Sequence, residues 1–395
     1  MDIDELLTRG VGTIYPSKEE LEKVLRSGKK LKLYQGFDPT GTQLHLGHMV
    51  GFRKLAQWQK LGHHVIFLIG DFTAMVGDPT GKDKARKMLS KEEVLENAKL
   101  YKEQASKILD FDGENPIEIK FNSEWLGKMS AVEFTEITNL VSYNQIIERD
   151  MFQDRIKRSE SIGMTELLYP VMQGYDSVAM DVDMEIGGSD QLFNMMMGNQ
   201  LMQKLKNKHK FVMTTPLLTD SAGVKIGKTE GNVIGLTDQP SDLFGKIMAL
   251  PDDVIAKGLE YLTDVPMKEI KEVEQKINSG ENPIQYKKKL AFEIIKQLNS
   301  EEAARKAQES FGKTVQNKEM PEEVGEVSVI EHTLVDDDLL VKLELATSKS
   351  EAKRLFEQGG VEIDGEKVEP GETTEVTNGM VIKVGKRKFV RILVG

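Results

Sequence analysis

The chain of 395 residues contains no cysteine. Disulfides and thiolate-ligated metal sites are thereby excluded. It also lacks any apolar run long enough to span a bilayer. Its first residues, Met1-Asp2-Ile3-Asp4-Glu5, are acidic and carry no apolar signal core, so a cytoplasmic location without membrane association is expected. No internal repeat and no low-complexity tract stands out. What is present, 39% hydrophobic and 30% charged residues, fits a globular chain, and the length implies two or three domains. The net charge of -11 argues against a protein that coats nucleic acid non-specifically. It leaves room for RNA bound through a local basic patch.

Residues 31–70 read as strand, helix and strand. Leu31-Lys32-Leu33-Tyr34 alternates, and Asp38-Pro39-Thr40-Gly41 breaks the strand. From Leu46 the apolar residues Met49, Val50, Phe52, Leu55, Ala56 and Leu61 recur at helical spacing, and Gly62 suits a left-handed cap. Val65-Ile66-Phe67-Leu68-Ile69 suits a strand buried on both faces. Such a unit implies a parallel sheet, with ligands beyond the carboxyl ends of its strands. Residues 90–150, 164–178, 190–205 and 241–311 read as mostly helical, and 212–218 as a strand. Residues 321–332 read as a linker. Beyond Thr333, two short helices precede a strand, an Asp364-Gly365 turn and further strands.

Several motifs carry chemistry. His45 and His48 sit at a helix start and share one face, where free N–H groups and partial positive charge suit phosphate. Gly47 between them allows close approach of a base or ribose. Two ordinary surface histidines are the bland alternative; zinc is poorer, because no third ligand lies nearby. Lys225-Ile226-Gly227-Lys228-Thr229 is not a Walker A loop, since Ala222 stands where that pattern needs glycine. It reads as a mobile loop bringing lysine charge to phosphates, or as a solvated basic loop. Tyr169, Gln173 and Asp176 fall on one helical face that could grip a small polar ligand or simply be a polar edge. In Gly187-Gly188-Ser189-Asp190-Gln191, Asp190 either caps the next helix or accepts ribose hydroxyls. Asp78 lies in the turn Gly77-Asp78-Pro79-Thr80-Gly81, followed by Lys82 and Arg86, which are either solvated or placed to meet a leaving pyrophosphate.

Taken together, these motifs resemble those of the class I aminoacyl-tRNA synthetases, specifically the bacterial tyrosyl-tRNA synthetases, over nearly the whole chain. His45-Leu46-Gly47-His48 is similar to the family's His-Ile-Gly-His signature. The lysine loop matches Lys-Met-Ser-Lys-Ser at Lys225 and Lys228, with Thr229 conservative and Ile226 and Gly227 departing. The segments Tyr34 to Thr40, Tyr169 to Asp176 and Gly187 to Gln191 are the specific part. The resemblance implies an α/β fold with a Rossmann-like catalytic domain over 1–235. An α-helical anticodon-side domain over 236–320, the linker 321–332 and a small α+β RNA-binding domain over 333–395, of the type named after ribosomal protein S-four, would follow.

The implied reaction joins L-tyrosine to ATP, then transfers tyrosine to tRNA(Tyr). By resemblance, Thr40, His45, Gly47 and His48 bind phosphate and nucleotide, and Gly36 and Asp38 approach the nucleotide. Gly188 and Asp190 approach the ribose. Lys225 and Lys228, with Lys82, Arg86 and Thr229, serve the departing phosphates. Tyr34 and Asp176 would flank the phenol hydroxyl; Asp78, Tyr169, Gln173 and Gln191 would orient the amino and carboxylate groups. Mg2+ is expected with ATP, held mainly by its phosphates and not by a protein metal site. A homodimer is also implied.

In the last domain, Lys349, Lys353 and Arg354 fall on one short helix, and Lys386, Arg387 and Lys388 cluster further on. They form an RNA-phosphate face or a strand edge guarded by lysines. Rival readings are a tryptophan enzyme, a small-molecule nucleotidylyltransferase and a non-catalytic RNA-binding paralogue.

Overall fold

The computed structural model describes residues 2–80, 89–226, 228–229, 232–313, 325–368, 374–385 and 388–395. The chain divides into two compact units, one of residues 1–238 with 250–300 and the other of 239–249 with 301–395.

The first unit is built on a six-stranded sheet: β1 (Ile14–Tyr15), β2 (Lys32–Phe37), β3 (His64–Ile69), β4 (Glu118–Phe121), β5 (Met184–Gly188) and β6 (Phe211–Thr215). The order is β1-β6-β5-β2-β3-β4, antiparallel only at β1. β2 pairs with β3 from Lys32↔His64 to Phe37↔Ile69, and with β5 at Leu33↔Met184. The chain leaves β2 towards β3 on one side and returns as β5 on the other. The β2–β5 boundary is therefore a topological switch point, where open α/β sheets hold ligands beyond their carboxyl ends.

The helix Leu46–Lys60 connects β2 to β3, as its apolar spacing predicts. Its buried residues run all round it, and Gly62 adopts φ +76° just beyond its end. The helices Met164–Met180 and Leu192–Lys206 end in left-handed Asp181 and Asn207. They pack closely because Gly174 and Gly198 face one another; a Cβ on Gly174 would lie 3.0 Å from the Gly198 nitrogen.

Some expectations needed correction. The stretch 90–150 contains β4, whose four residues alternate too briefly to register as a strand. β1 and β5 were likewise unforeseen, β1 because two residues carry no period. Of the helices between 239 and 311, those in 250–300 fall in the first unit and those in 239–249 and 301–311 in the second.

In the second unit, five strands form a sheet in which Gly325–Val329 lies parallel to Lys388–Val394. The expected linker thus contains an edge strand of the C-terminal sheet. Val327 and Val329 alternate, but their partner lies some sixty residues on (Val329↔Val394), so local sequence does not announce the pairing. The expected helices appear as Asp337–Lys342 and Lys349–Glu357. Asp364 and Gly365 take φ +48° and +91°, as a tight hairpin turn requires. Leu340, Ala352, Val361, Ile382 and Ile392 form a separate core for this sheet and its helices.

Candidate active site

A cavity of about 440 Å³ opens at the carboxyl ends of β2, β3, β5 and β6, a size usual for small-molecule sites. Its lining includes Tyr34, Gly36, Asp38, Thr40, His45, Gly47, His48 and Asp78, and also Tyr169, Gln173, Asp176, Gly188, Asp190, Gln191 and Lys225. Residues scattered over almost two hundred positions are thus brought to one wall by the crossovers of the sheet.

The histidine motif is a helix N-terminus folded on itself. The Gly47 N–H donates to His45 Nδ1 and the His45 N–H to His48 Nδ1, both at 3.1 Å. With Nδ1 accepting, a neutral ring carries its proton on Nε2. Each ring then carries its N–H on the Nε2 side. A Cβ on Gly47 would lie 3.0 Å from the His45 ring, so a side chain there would require the ring to shift by a few tenths of an ångström.

The segment following the lysine motif is tied to this one. Leu46 N–H donates to the Ile234 carbonyl at 3.1 Å, and Leu236 N–H to that of Leu44 at 2.9 Å. Lys228–Thr229 and Asn232–Val233 form a short antiparallel pair. Lys225 points at Asp190, with Nζ 2.7 Å from Oδ2. Asp190 is therefore not a cap; Gln191 occupies the N-cap position of the next helix. Lys82, Arg86 and the side chains of Lys228 and Thr229 lie outside the described residues.

The opposite end is closed and polar. Tyr34 is packed among Ile66, Leu68, Met180 and Val182, and burial raises its phenol well above the usual value, with Glu185 adding to the effect. Its hydroxyl lies 2.9 Å from Ser177 Oγ. Asp176 accepts from Trp125 Nε1 at 2.8 Å and from Asn122 Nδ2 at 3.4 Å. Burial raises the Asp176 carboxyl, and those two donors oppose the shift. Tyr169 donates to Asp38 Oδ2 at 2.8 Å, while Thr73 donates to Oδ1 at 2.7 Å. Gly70 leaves the space this carboxylate fills; a Cβ there would collide with it. Along the side, Gln191 donates to Asp78 at 2.8 Å, and Asn194 bridges Gln173 and Gln191 at 2.9 and 3.0 Å.

Sequence reading missed Asn122, Trp125, Ser177, Glu185, Asn194 and Lys210. Ser177 adjoins Asp176 in the quoted helix and was within reach of that reading. Lys210 and Asn122 are joined to the site only by tertiary packing.

In the C-terminal sheet, Lys353 and Arg354 are exposed on the helix Lys349–Glu357. Lys349 pairs with Asp338. Lys388 donates to the Glu344 and Leu345 carbonyls at 3.1 and 3.0 Å. Lys386 and Arg387 lie outside the described residues.

A cavity at the switch point of a parallel sheet, bordered by a helix start with two histidines, suits an anionic nucleotide. The family model described as tRNA synthetases class I (W and Y) matches residues 26–316, and that of the S4 domain matches 337–377. The chain belongs to this class I family. Its relatives include the tyrosine–tRNA ligase of Thermotoga maritima, 44% identical over 391 residues, covering 98% of this chain and 96% of that one. The Aquifex aeolicus tyrosine–tRNA ligase is 42% identical over 380 residues, covering 96% and 95%. Among solved structures, a C-terminally truncated mitochondrial tyrosyl-tRNA synthetase of Coccidioides posadasii superposes with TM-score 0.63 at 25% identity, over 78% of this chain and 90% of that one. The Archaeoglobus fulgidus tyrosyl-tRNA synthetase complexed with L-tyrosine shares the fold, with TM-score 0.60 at 23% identity, over 78% and 100%.

Proposed function

We infer that the protein activates L-tyrosine with ATP and transfers the tyrosyl group to tRNA(Tyr). The observation that carries this reading is one cavity with two unlike ends. Tyr34 and Asp176 offer polar groups to a phenol at the buried end; His45, His48 and Lys225 offer cationic or N–H groups at the other.

In the first step a tyrosine carboxylate oxygen bonds to the α-phosphorus of ATP. The bond from that phosphorus to the bridging oxygen breaks, and pyrophosphate leaves. No group on the protein need become covalently attached. The work is positioning and charge stabilisation. The N–H donors of His45 and His48 and the backbone around Gly47 would hold phosphate oxygens, with Thr40 beside them. Lys225 and Lys228, assisted by Thr229, Lys82 and Arg86, would neutralise the departing charge. Asp190 and Gly188 would meet the ribose, and Gly36 and Asp38 the nucleotide. Asp78, Tyr169, Gln173 and Gln191 would hold the amino and carboxylate groups. In the second step a ribose hydroxyl at the tRNA 3′ end attacks the tyrosyl carbonyl and AMP leaves.

The cavity carboxylates already accept protein donors: Asp38 from Thr73 and Tyr169, Asp190 from Lys225. Mg2+ would accordingly travel with ATP, held by phosphate oxygens. Lys353 and Arg354, with Lys349, Lys386, Arg387 and Lys388, would face RNA. A homodimer in the cytoplasm belongs to the same reading; no helix among the described residues is long and apolar enough to cross a membrane.

Exchange of labelled pyrophosphate into ATP tests the reading. Stimulation by tyrosine is expected. Stimulation by tryptophan and not by tyrosine overturns it.

A further inference from the structure

A fully buried lysine stands behind the tyrosine end of the cavity. Lys210 is 1% exposed. Its Nζ pairs with Glu185 Oε2, lies 2.6 Å from Ser177 Oγ and sits 5.7 Å from the centre of the Tyr34 ring. Removing an ion pair of this kind from water is unfavourable unless every group is satisfied. The packing accommodates it specifically: a Cβ on Gly198 would lie 2.7 Å from Lys210 Nζ and 2.8 Å from Ser177 Oγ.

The donor count then limits the directions open to this cluster. The Lys210 ammonium has only N–H groups to offer, so Ser177 Oγ accepts from it. Ser177 has one proton of its own and two acceptors to choose from. Tyr34 lies at 2.9 Å and Glu185 Oε2 at 3.4 Å. Either hydroxyl can donate in the 2.9 Å contact. With Ser177 as its donor, Tyr34 keeps its own O–H to donate into the cavity. Asp176, whose two oxygens accept from Trp125 and Asn122, is an acceptor across the gap. A phenol hydroxyl, which both donates and accepts, is the group that completes such a chain.

We propose that Lys210 and Ser177 are positioning residues for amino-acid selection, orienting the Tyr34 hydroxyl as a donor to the substrate's phenol oxygen. Glu185 neutralises Lys210 and so permits its burial. Phenylalanine would interrupt the chain, leaving the Tyr34 O–H without an acceptor and Asp176 without the substrate's donor. This proposal rests on tyrosine being the substrate.

The test uses the full-length protein in amino-acid-dependent pyrophosphate exchange. Ser177→Ala should lower kcat/KM for tyrosine about tenfold, mainly through KM. That for phenylalanine should stay within about twofold. In a Tyr34→Phe background the same substitution should change little, because the hydroxyl it orients is gone. Should the alanine variant fail to fold, Ser177→Cys retains near-equal volume with a weaker donor and should give a smaller loss of the same kind. An unchanged tyrosine-to-phenylalanine ratio, or an equal loss with and without the Tyr34 hydroxyl, overturns the proposal. Wild-type protein that shows no tyrosine-dependent exchange overturns instead the functional reading beneath it.

Discussion

Lys225 and Asp190 form an ion pair 2.7 Å long at the cavity, joining the lysine motif to the glycine-rich turn after β5. The lysine side chain is half exposed and that of Asp190 about a quarter (50% and 26%). A pair this wet is worth at most about 1 kcal/mol. In the proposed function each partner has another task, Lys225 on phosphate and Asp190 on ribose. Nucleotide would therefore exchange this pair for two stronger, charge-assisted contacts. Lys225→Ala should slow adenylate formation roughly tenfold or more in single-turnover experiments, leaving tyrosine affinity unchanged. An unaltered single-turnover rate removes Lys225 from the reaction.

Stability should depend on pH through the helix that carries His45 and His48. Lys54, on its buried side, donates to the carbonyls of Leu6 and Arg9 at 3.0 and 2.7 Å. Burial, with the charges of Arg53 and Arg9, lowers its ammonium from 10.5 to about 7. Between those values the unfolded chain holds a proton that the folded chain has released. The protein should accordingly gain stability as pH rises through this window. As pH falls towards about 7 that contribution is lost. The slope from this one group reaches at most roughly 1.4 kcal/mol per pH unit. Urea unfolding at intervals across the window should show a rise in the wild type that Lys54→Met flattens. Parallel curves for the two proteins would assign the pH dependence elsewhere.

The histidine helix and its two flanking strands were legible because each has a local pattern of its own: helical spacing, alternation at Leu31–Tyr34 and an unbroken apolar run at Val65–Ile69. The cavity residues were legible for a different reason: Tyr169, Gln173, Asp176 and Asp190 are polar or aromatic groups set in apolar or glycine-rich segments, which local packing alone does not explain, while Tyr34 entered only through the family resemblance. The Lys210–Ser177–Glu185 cluster gives no such sign. Lys210 resembles any lysine before a strand until β6 is laid beside β5 and its ammonium is enclosed. The strand Gly325–Val329 was lost in the same way, since its hydrogen bonds go to residues at the far end of the chain. Short-range patterns report elements and unusual residues; pairings at long sequence separation, and the polar groups they bury, do not leave a local trace.

The C-terminal sheet supplies the final prediction. Because Gly325–Val329 is one of its strands, a truncation at residue 333 would strand that segment without its partner. The clean test removes residues 325–395. This deletion should leave tyrosine-dependent pyrophosphate exchange intact, since the cavity residues all belong to the other unit, while weakening tRNA charging. Point substitutions separate RNA contact from loss of the domain. Lys353 and Arg354 are exposed on one helix, whereas Lys388 is engaged with the Glu344 and Leu345 carbonyls. Lys353→Ala with Arg354→Ala should raise the KM for tRNA and reduce the salt dependence of binding by about one unit of slope per residue. Lys388→Ala should weaken RNA binding and in addition lower the thermal stability of the domain, because it releases two carbonyls from their donor. Charging that survives the double substitution with an unchanged salt slope would move the RNA contact off this helix.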